Sequence, residues 1–102
     1  DMRMLESVER YLLTRPASQD RDLSLAAGAI EQDDPKRARE LAEGVLAQAR
    51  VDEPLRVLEL LADALVKLDK RDEAEKRYLA AMSRFPEHAA DLANHRAALV
   101  FE

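Results

Sequence analysis

Apolar residues recur along this chain at the spacing of an amphipathic helix. Between residues 38 and 49 they are separated by alternating intervals of three residues and one residue, as Ala38, Leu41, Ala42, Val45, Leu46 and Ala49. This pattern places them on one stripe, which predicts a helix with a single buried face. From Leu55 to Leu68 apolar residues cover most of the helical circumference, so we expect that helix to be covered on several sides.

Prolines and acidic residues divide the chain into segments of about one helix each. Proline is tolerated in the first turn of a helix but not in its interior, and Asp34-Pro35 combines a capping carboxylate with proline at the first helical position. With two Gly and four Pro among 102 residues, the composition favours helix throughout. We therefore predict an all-α domain of about six helices, at residues 2–15, 19–32, 35–50, 55–68, 73–85 and 88–100.

Charge and cysteine content narrow the classes of partner. The net charge is −5, with 21 acidic against 16 basic residues. Nucleic-acid affinity comes largely from Lys and Arg at phosphates, so we expect neither nucleic acid nor an anionic membrane surface as partner. No apolar run approaches the roughly 20 residues that cross a bilayer. The absence of cysteine fits the cytoplasm, which is the location we expect, and equally the periplasm.

Within residues 55–86 small and large apolar residues fall at fixed offsets across two predicted helices. The residues that carry this pattern are Leu58, Leu61, Ala62 and Leu65, followed by Ala74, Tyr78, Ala81 and Pro86. Their order resembles the tetratricopeptide repeat, in which the first helix carries a large residue, Leu-Gly and Tyr, and the second carries Ala, Phe and Pro. The resemblance implies a right-handed stack of helix hairpins.

A weaker copy of the pattern occupies residues 19–50. Its Leu23, Ala27 and Ile30 match positions 58, 62 and 65 at an offset of 35 residues, and Ala38 matches position 74 at an offset of 36. The resemblance thus implies one domain, 1–102, with an N-terminal helix at 1–16, a degenerate repeat at 19–50, a well-matched repeat at 55–86 and a capping or half-repeat helix at 87–102.

Two positions depart from the family pattern. Leu58 stands where the family usually has Trp or another large aromatic residue, and Asp69 stands where it has a loop glycine. The alternative fold is an ordinary helical bundle whose Ala-rich helices match the pattern by chance. A bundle needs no repeat, whereas stacked repeats build one continuous core.

The resemblance also implies a function, because repeats of this family line a concave groove with the first helix of each pair and bind a peptide or a partner helix there. The implied groove residues are Arg56, Glu59, Asp63 and Lys67 on the helix at 55–68, and Ala93, Ala97 and Phe101 on the last helix. We therefore expect a non-catalytic scaffold that binds a protein or peptide partner. The alternative is an oligomerisation domain that self-associates through the last helix.

Candidate chemical sites are weak by comparison. His88 and His95 lie about 10.5 Å apart along a helix, too far for both to ligate one metal ion at about 2.1 Å unless their side chains converge. The acidic pairs Asp33-Asp34 and Asp52-Glu53 precede helix starts, where capping and the helix dipole explain them. No serine lies in a nucleophile motif, and no glycine-rich loop could cradle a phosphate. We therefore expect no enzymatic activity, metal ion or cofactor.

Overall fold

The structure, a computed structural model, describes the backbone of residues 18–101 and the side chains of residues 19–99. Within this range the chain is all-helical, which confirms the all-α part of the predicted fold class. The five α-helices are α1 at Ser18–Glu31, α2 at Pro35–Leu46, α3 at Pro54–Lys67, α4 at Arg71–Arg84 and α5 at Ala89–Phe101. A 3-10 turn at Pro86–His88 precedes α5. The helix predicted at residues 2–15 lies outside the described residues.

The hairpins α1–α2 and α3–α4 are closed by turns of the same geometry. Asp33 and Asp69 have positive φ angles of 58° and 60°, a left-handed conformation that Asp tolerates better than most residues other than glycine. In each turn the amide of the next residue donates to a carbonyl five residues earlier, at 2.8 Å after α1 and 2.7 Å after α3. This bond satisfies an end carbonyl of the helix. The two turns therefore repeat each other at an interval of 36 residues.

The central helix, α3, packs against each of the other four described helices. Its Leu58, Leu61 and Leu65 are at most 1% exposed and belong to the main core cluster. Apolar side chains on the remaining sides, such as Val57 and Ala64, are fully buried as well. The prediction that this helix is covered on several sides is confirmed, and α3 contributes the largest share of the fully buried leucines.

A second, smaller core cluster consists of alanines from three helices. Ala26 and Ala29 on α1, Ala38 on α2 and Ala64 on α3 are each at most 4% exposed. Alanine at such a position lets helix backbones approach more closely than a larger side chain would allow. The three helices therefore meet at a contact that has no large side chain at its centre.

The helices are arranged in sequence order as an elongated array. Each packs on its neighbour in the chain, and α3 also contacts both α1 and α5. The odd-numbered helices thus form one layer and the even-numbered helices a second layer. The principal extents are 57 × 32 × 15 Å, and the radius of gyration is 15.5 Å, whereas a compact domain of this length has a radius of about 12 to 13 Å.

Helix α2 ends at Leu46 rather than near the predicted Arg50, because side chains from other helices bind the backbone beyond it. The guanidinium of Arg84 donates to the carbonyls of Leu46 and Gln48, the latter at 2.6 Å. The buried amide of Gln19 donates to the carbonyl of Arg50 at 2.8 Å. These bonds replace the helical hydrogen bonds that a longer α2 would need.

Candidate functional site

The surface of the even-numbered helices carries charges that neutralise one another. Arg39 on α2 donates to Glu73 on α4 at 2.8 Å, and Arg77 on α4 donates to Glu43 on α2 at 2.6 Å. Arg39 also lies 3.4 Å from Glu43. Because these side chains are partly exposed, each pair contributes at most about 1 kcal/mol to stability. Together they join α2 to α4.

A cleft of about 300 Å³ opens between α2 and α4 on this surface. Its polar walls include Glu43 and Arg77, which pair with each other, and Arg84, which binds carbonyls at the end of α2 and just after it. The Arg84 guanidinium also lies 4.9 Å from the centre of the Phe85 ring. The charged groups of this cleft are thus already engaged within the domain.

On the odd-numbered helices, Arg56 connects α3 to α1. Its guanidinium lies 2.7 Å from the Asp20 carboxylate and 3.2 Å from that of Glu53, and it donates to the Ser24 hydroxyl at 3.3 Å. The hydrogen bond to Asp20 raises the pKa of Arg56 above its usual value. Arg56 therefore stays charged, and much of its hydrogen-bonding capacity is used within the domain.

A cleft of about 350 Å³ lies where α3, α4 and α5 meet. Two acidic residues one turn apart on α3, Glu59 and Asp63, form one wall, and α5 forms the other. The described residues that line it are Glu59, Ala62, Asp63, Tyr78, Asn94, His95, Ala98 and Leu99. The structure thus brings two of the predicted groove residues, Glu59 and Asp63, into one concave site.

Tyr78 supplies the α4 side of this cleft, which we call the Tyr78 cleft. The residue is 3% exposed, and its ring meets that of His95 edge to face, with 6.3 Å between ring centroids. Burial raises the pKa of Tyr78 to about 12, and the negative charges of Glu59 and Asp63 add to the shift. The phenol is therefore neutral at physiological pH and lies in a negative electrostatic environment.

His95 faces Glu59 across the Tyr78 cleft. The distance between the imidazole Nδ1 and the Glu59 Oε1 is 3.9 Å, which is longer than a hydrogen bond. The Glu59 side chain is 61% exposed. His95 is the nearest basic group that the described residues offer to Glu59, and it carries a charge only when protonated.

The other predicted groove residues lie apart from this cleft. Lys67 is exposed at the last position of α3. Ala97 is exposed and Ala93 half-buried on α5, but neither lines the Tyr78 cleft. The side chain of Phe101 lies outside the described residues, although its backbone ends α5. The predicted self-association through this helix stays a prediction.

The acidic pairs before α2 and α3 behave differently from each other. The Asp34 carboxylate accepts the Arg37 amide at 3.4 Å, which confirms the predicted cap of α2. Glu53 holds the corresponding position before α3 but makes no capping hydrogen bond. Its carboxylate lies near Arg56 instead, so the capping interpretation is wrong for this residue.

Two further findings concern metals and membranes. Among the described residues, no group of three His, Cys, Asp or Glu side chains is placed to hold a metal ion. His88 lies 3.9 Å from the neighbouring Glu87, and His95 lies beside Glu59. None of the described helices is long and apolar enough to cross a bilayer.

Three polar residues of the Tyr78 cleft are not among the predicted groove residues. Tyr78 belongs to the repeat pattern, His95 is only a weak candidate metal ligand in the sequence, and Asn94 has no predicted role. One signal was present in the sequence. Position 78 corresponds to Ala42 at the interval of 36 residues, so the second hairpin has an aromatic residue with a hydroxyl where the first hairpin has a methyl group.

No family model, curated protein or solved structure matches the chain.

Proposed function

We propose that this domain is a non-catalytic protein-binding module of the tetratricopeptide type. The binding surface is formed by the odd-numbered helices α1, α3 and α5, and the partner is a peptide or a helix of another protein. The observation that carries the proposal is the contrast between the two layers. Charges on α2 and α4 pair with each other, whereas the odd-numbered helices present the Tyr78 cleft with an acidic wall.

The repeat interpretation is supported by the two equivalent turns at Asp33 and Asp69. Their interval of 36 residues is close to the 34 residues of the family. Ala38 and Ala74, which are 36 residues apart, are both buried at the start of the second helix of a hairpin. An elongated array of hairpins gives the first helices one shared surface.

We propose no catalytic activity because of the hydrogen bonds and protonation states of the polar side chains on the odd-numbered helices and in the cleft. The Ser24 hydroxyl accepts a hydrogen bond from Arg56, which is not a general base. The cleft residue Tyr78 keeps its proton because its pKa is raised. Binding by shape and polar contact requires neither a nucleophile nor an ion.

A charge-reversal variant tests the proposal. Arg56→Glu, Glu59→Lys, Asp63→Lys and Lys67→Glu together leave the net charge unchanged while inverting the predicted binding surface. We expect the variant to lose a protein that the unmodified domain retains in affinity purification from host lysate, followed by mass spectrometry. The reason is that like charges facing each other across an interface cost several kcal/mol.

The matched control inverts exposed charges on the other layer. Lys36→Glu, Glu40→Lys, Asp72→Lys and Lys76→Glu likewise preserve the net charge, and all four residues are exposed. This control should retain the partner, and both variants should show the helical circular dichroism of the unmodified domain. Equal retention by the two variants, or loss by the control alone, would reject the odd-numbered surface as the binding site.

A further inference from the structure

We propose that the Tyr78 cleft takes the side chain of a lysine or arginine from an extended basic segment of the protein partner. This inference rests on the proposed function and specifies the chemistry of the partner. The cleft holds two carboxylates, a buried phenol and small apolar walls, and each of these features favours a long side chain that ends in a cation.

Charge complementarity favours a cation in the cleft. Glu59 and Asp63 line it, and none of the other described residues in its lining is a lysine or an arginine. Elsewhere in the described part of the chain, carboxylates on neighbouring helices pair with arginine: Asp20 and Glu75 each lie 2.7 Å from a guanidinium nitrogen. Glu59 has an imidazole at 3.9 Å instead. A cation from a partner would give this carboxylate the charge-assisted hydrogen bond that the other acids make within the domain.

The Tyr78 hydroxyl also favours a cation in the cleft. Tyr78 is 97% buried and lines the cleft, yet its hydroxyl takes part in none of the hydrogen bonds found between described residues. A phenolic oxygen can accept a hydrogen bond from an ammonium or guanidinium group. The Tyr78 ring also lines the cleft, and a phenol ring attracts a cation placed over its face.

The shape of the cleft suits a long side chain. Ala62 on α3 and Ala98 and Leu99 on α5 supply apolar walls, and the volume is about 350 Å³. Lysine and arginine place their methylene groups along apolar surface while the charged end reaches polar groups. The acidic wall disfavours a nucleic acid or another polyanion in the same place.

Peptide titration followed by NMR tests the assignment. Three blocked pentapeptides, identical except for lysine, arginine or norleucine between flanking alanines, are added to the isotopically labelled full chain. We expect saturable shifts of the Ala62, Asn94 and His95 amide signals with the lysine and arginine peptides and none with norleucine. Added salt should weaken the binding because it screens the exposed charges.

Three substitutions test which side chains contribute to peptide affinity. Glu59→Gln keeps the shape of the side chain and removes its charge, so affinity for the cationic peptides should fall by about tenfold or more. Tyr78→Phe should also weaken binding, because it removes the hydroxyl that accepts a hydrogen bond from the cation. Glu40→Gln, on the exposed side of α2, should bind as the unmodified chain does. Well-dispersed amide spectra establish that each variant is folded.

Three results would overturn the inference: no shift of the cleft amides with a cationic peptide, equal shifts with norleucine, or equal weakening by Glu59→Gln and Glu40→Gln. The outcome is separable from that of the proposed function. If the cationic peptides fail while charge reversal still releases the native partner, the cleft is rejected and the binding surface stands. If the peptides bind while charge reversal leaves partner retention unchanged, the cation site stands and the larger binding surface is rejected.

Discussion

Replacing Leu61 with alanine is expected to lower the free energy of unfolding by about 2 to 5 kcal/mol. Leu61 is 0% exposed and lies in the main core cluster, on the helix that packs against all four other described helices. The substitution removes apolar surface from the core and leaves a cavity that the surrounding helices can only partly close. Urea denaturation followed by circular dichroism measures the change.

The matched control for this truncation is Leu79→Ala. Leu79 lies on α4 and is 44% exposed, so its loss should change stability by no more than about 0.5 kcal/mol. Both substitutions replace the same residue type in a helix interior, and their intrinsic helix propensities change equally. Similar effects at the two sites would mean that α3 is not the centre of the core.

Enlarging Ala64 to leucine is expected to destabilise the domain by about 1 to 3 kcal/mol. Ala64 is fully buried in the small cluster where α3 meets Ala26 and Ala29 of α1 and Ala38 of α2. A leucine at this contact would push the helices apart or adopt a strained rotamer. The same denaturation experiment reports the loss.

Ala80→Leu provides the control for size alone, because Ala80 is exposed in the middle of α4. We expect no measurable destabilisation there. Ala62→Leu should cost less than Ala64→Leu, since Ala62 borders the Tyr78 cleft and the added atoms can enter open space. A harmless Ala64→Leu would show that α1, α2 and α3 do not meet closely at this cluster.

Helix positions could be predicted from the sequence where local signals set them. Pro35 and Pro54 occupy the first positions of α2 and α3. A helix tolerates proline in its first turn but not in its interior. The apolar circumference of residues 55–68 correctly indicated the central helix. These features depend on residues close together in the chain, so apolar periodicity and the positions of proline are enough to predict them.

The end of α2 could not be predicted in the same way. The apolar stripe continues through Ala49, beyond the last helical residue, Leu46. The helix ends because side chains distant in the sequence bind the carbonyls that follow it. Arg84 donates to the carbonyl of Gln48, 36 residues away, and Gln19 donates to the carbonyl of Arg50, 31 residues away. Such long-range hydrogen bonds leave no periodic signal in a single sequence.

Only part of the candidate site could be predicted from the sequence, because the rest depends on tertiary contacts. The family resemblance implied Glu59 and Asp63 as groove residues, and in the structure both line the Tyr78 cleft. The residues that face them from α5 are Asn94 and His95 rather than Ala93. Alanines occur on both sides of α5 and give it little amphipathic contrast, so its rotation about its own axis depends on tertiary contacts. One such contact is Arg96, which donates to Glu75 on α4 at 2.7 Å.

Small-angle X-ray scattering of the full chain tests the stacked arrangement most directly, because the odd-numbered surface exists only if the hairpins lie side by side. The stack predicts an asymmetric distance distribution and a radius of gyration well above that of a compact bundle, in keeping with the 57 Å longest axis and the 15.5 Å Cα radius of the structure. A symmetric distribution with a radius of about 12 to 13 Å, as for a compact bundle of this length, would contradict it.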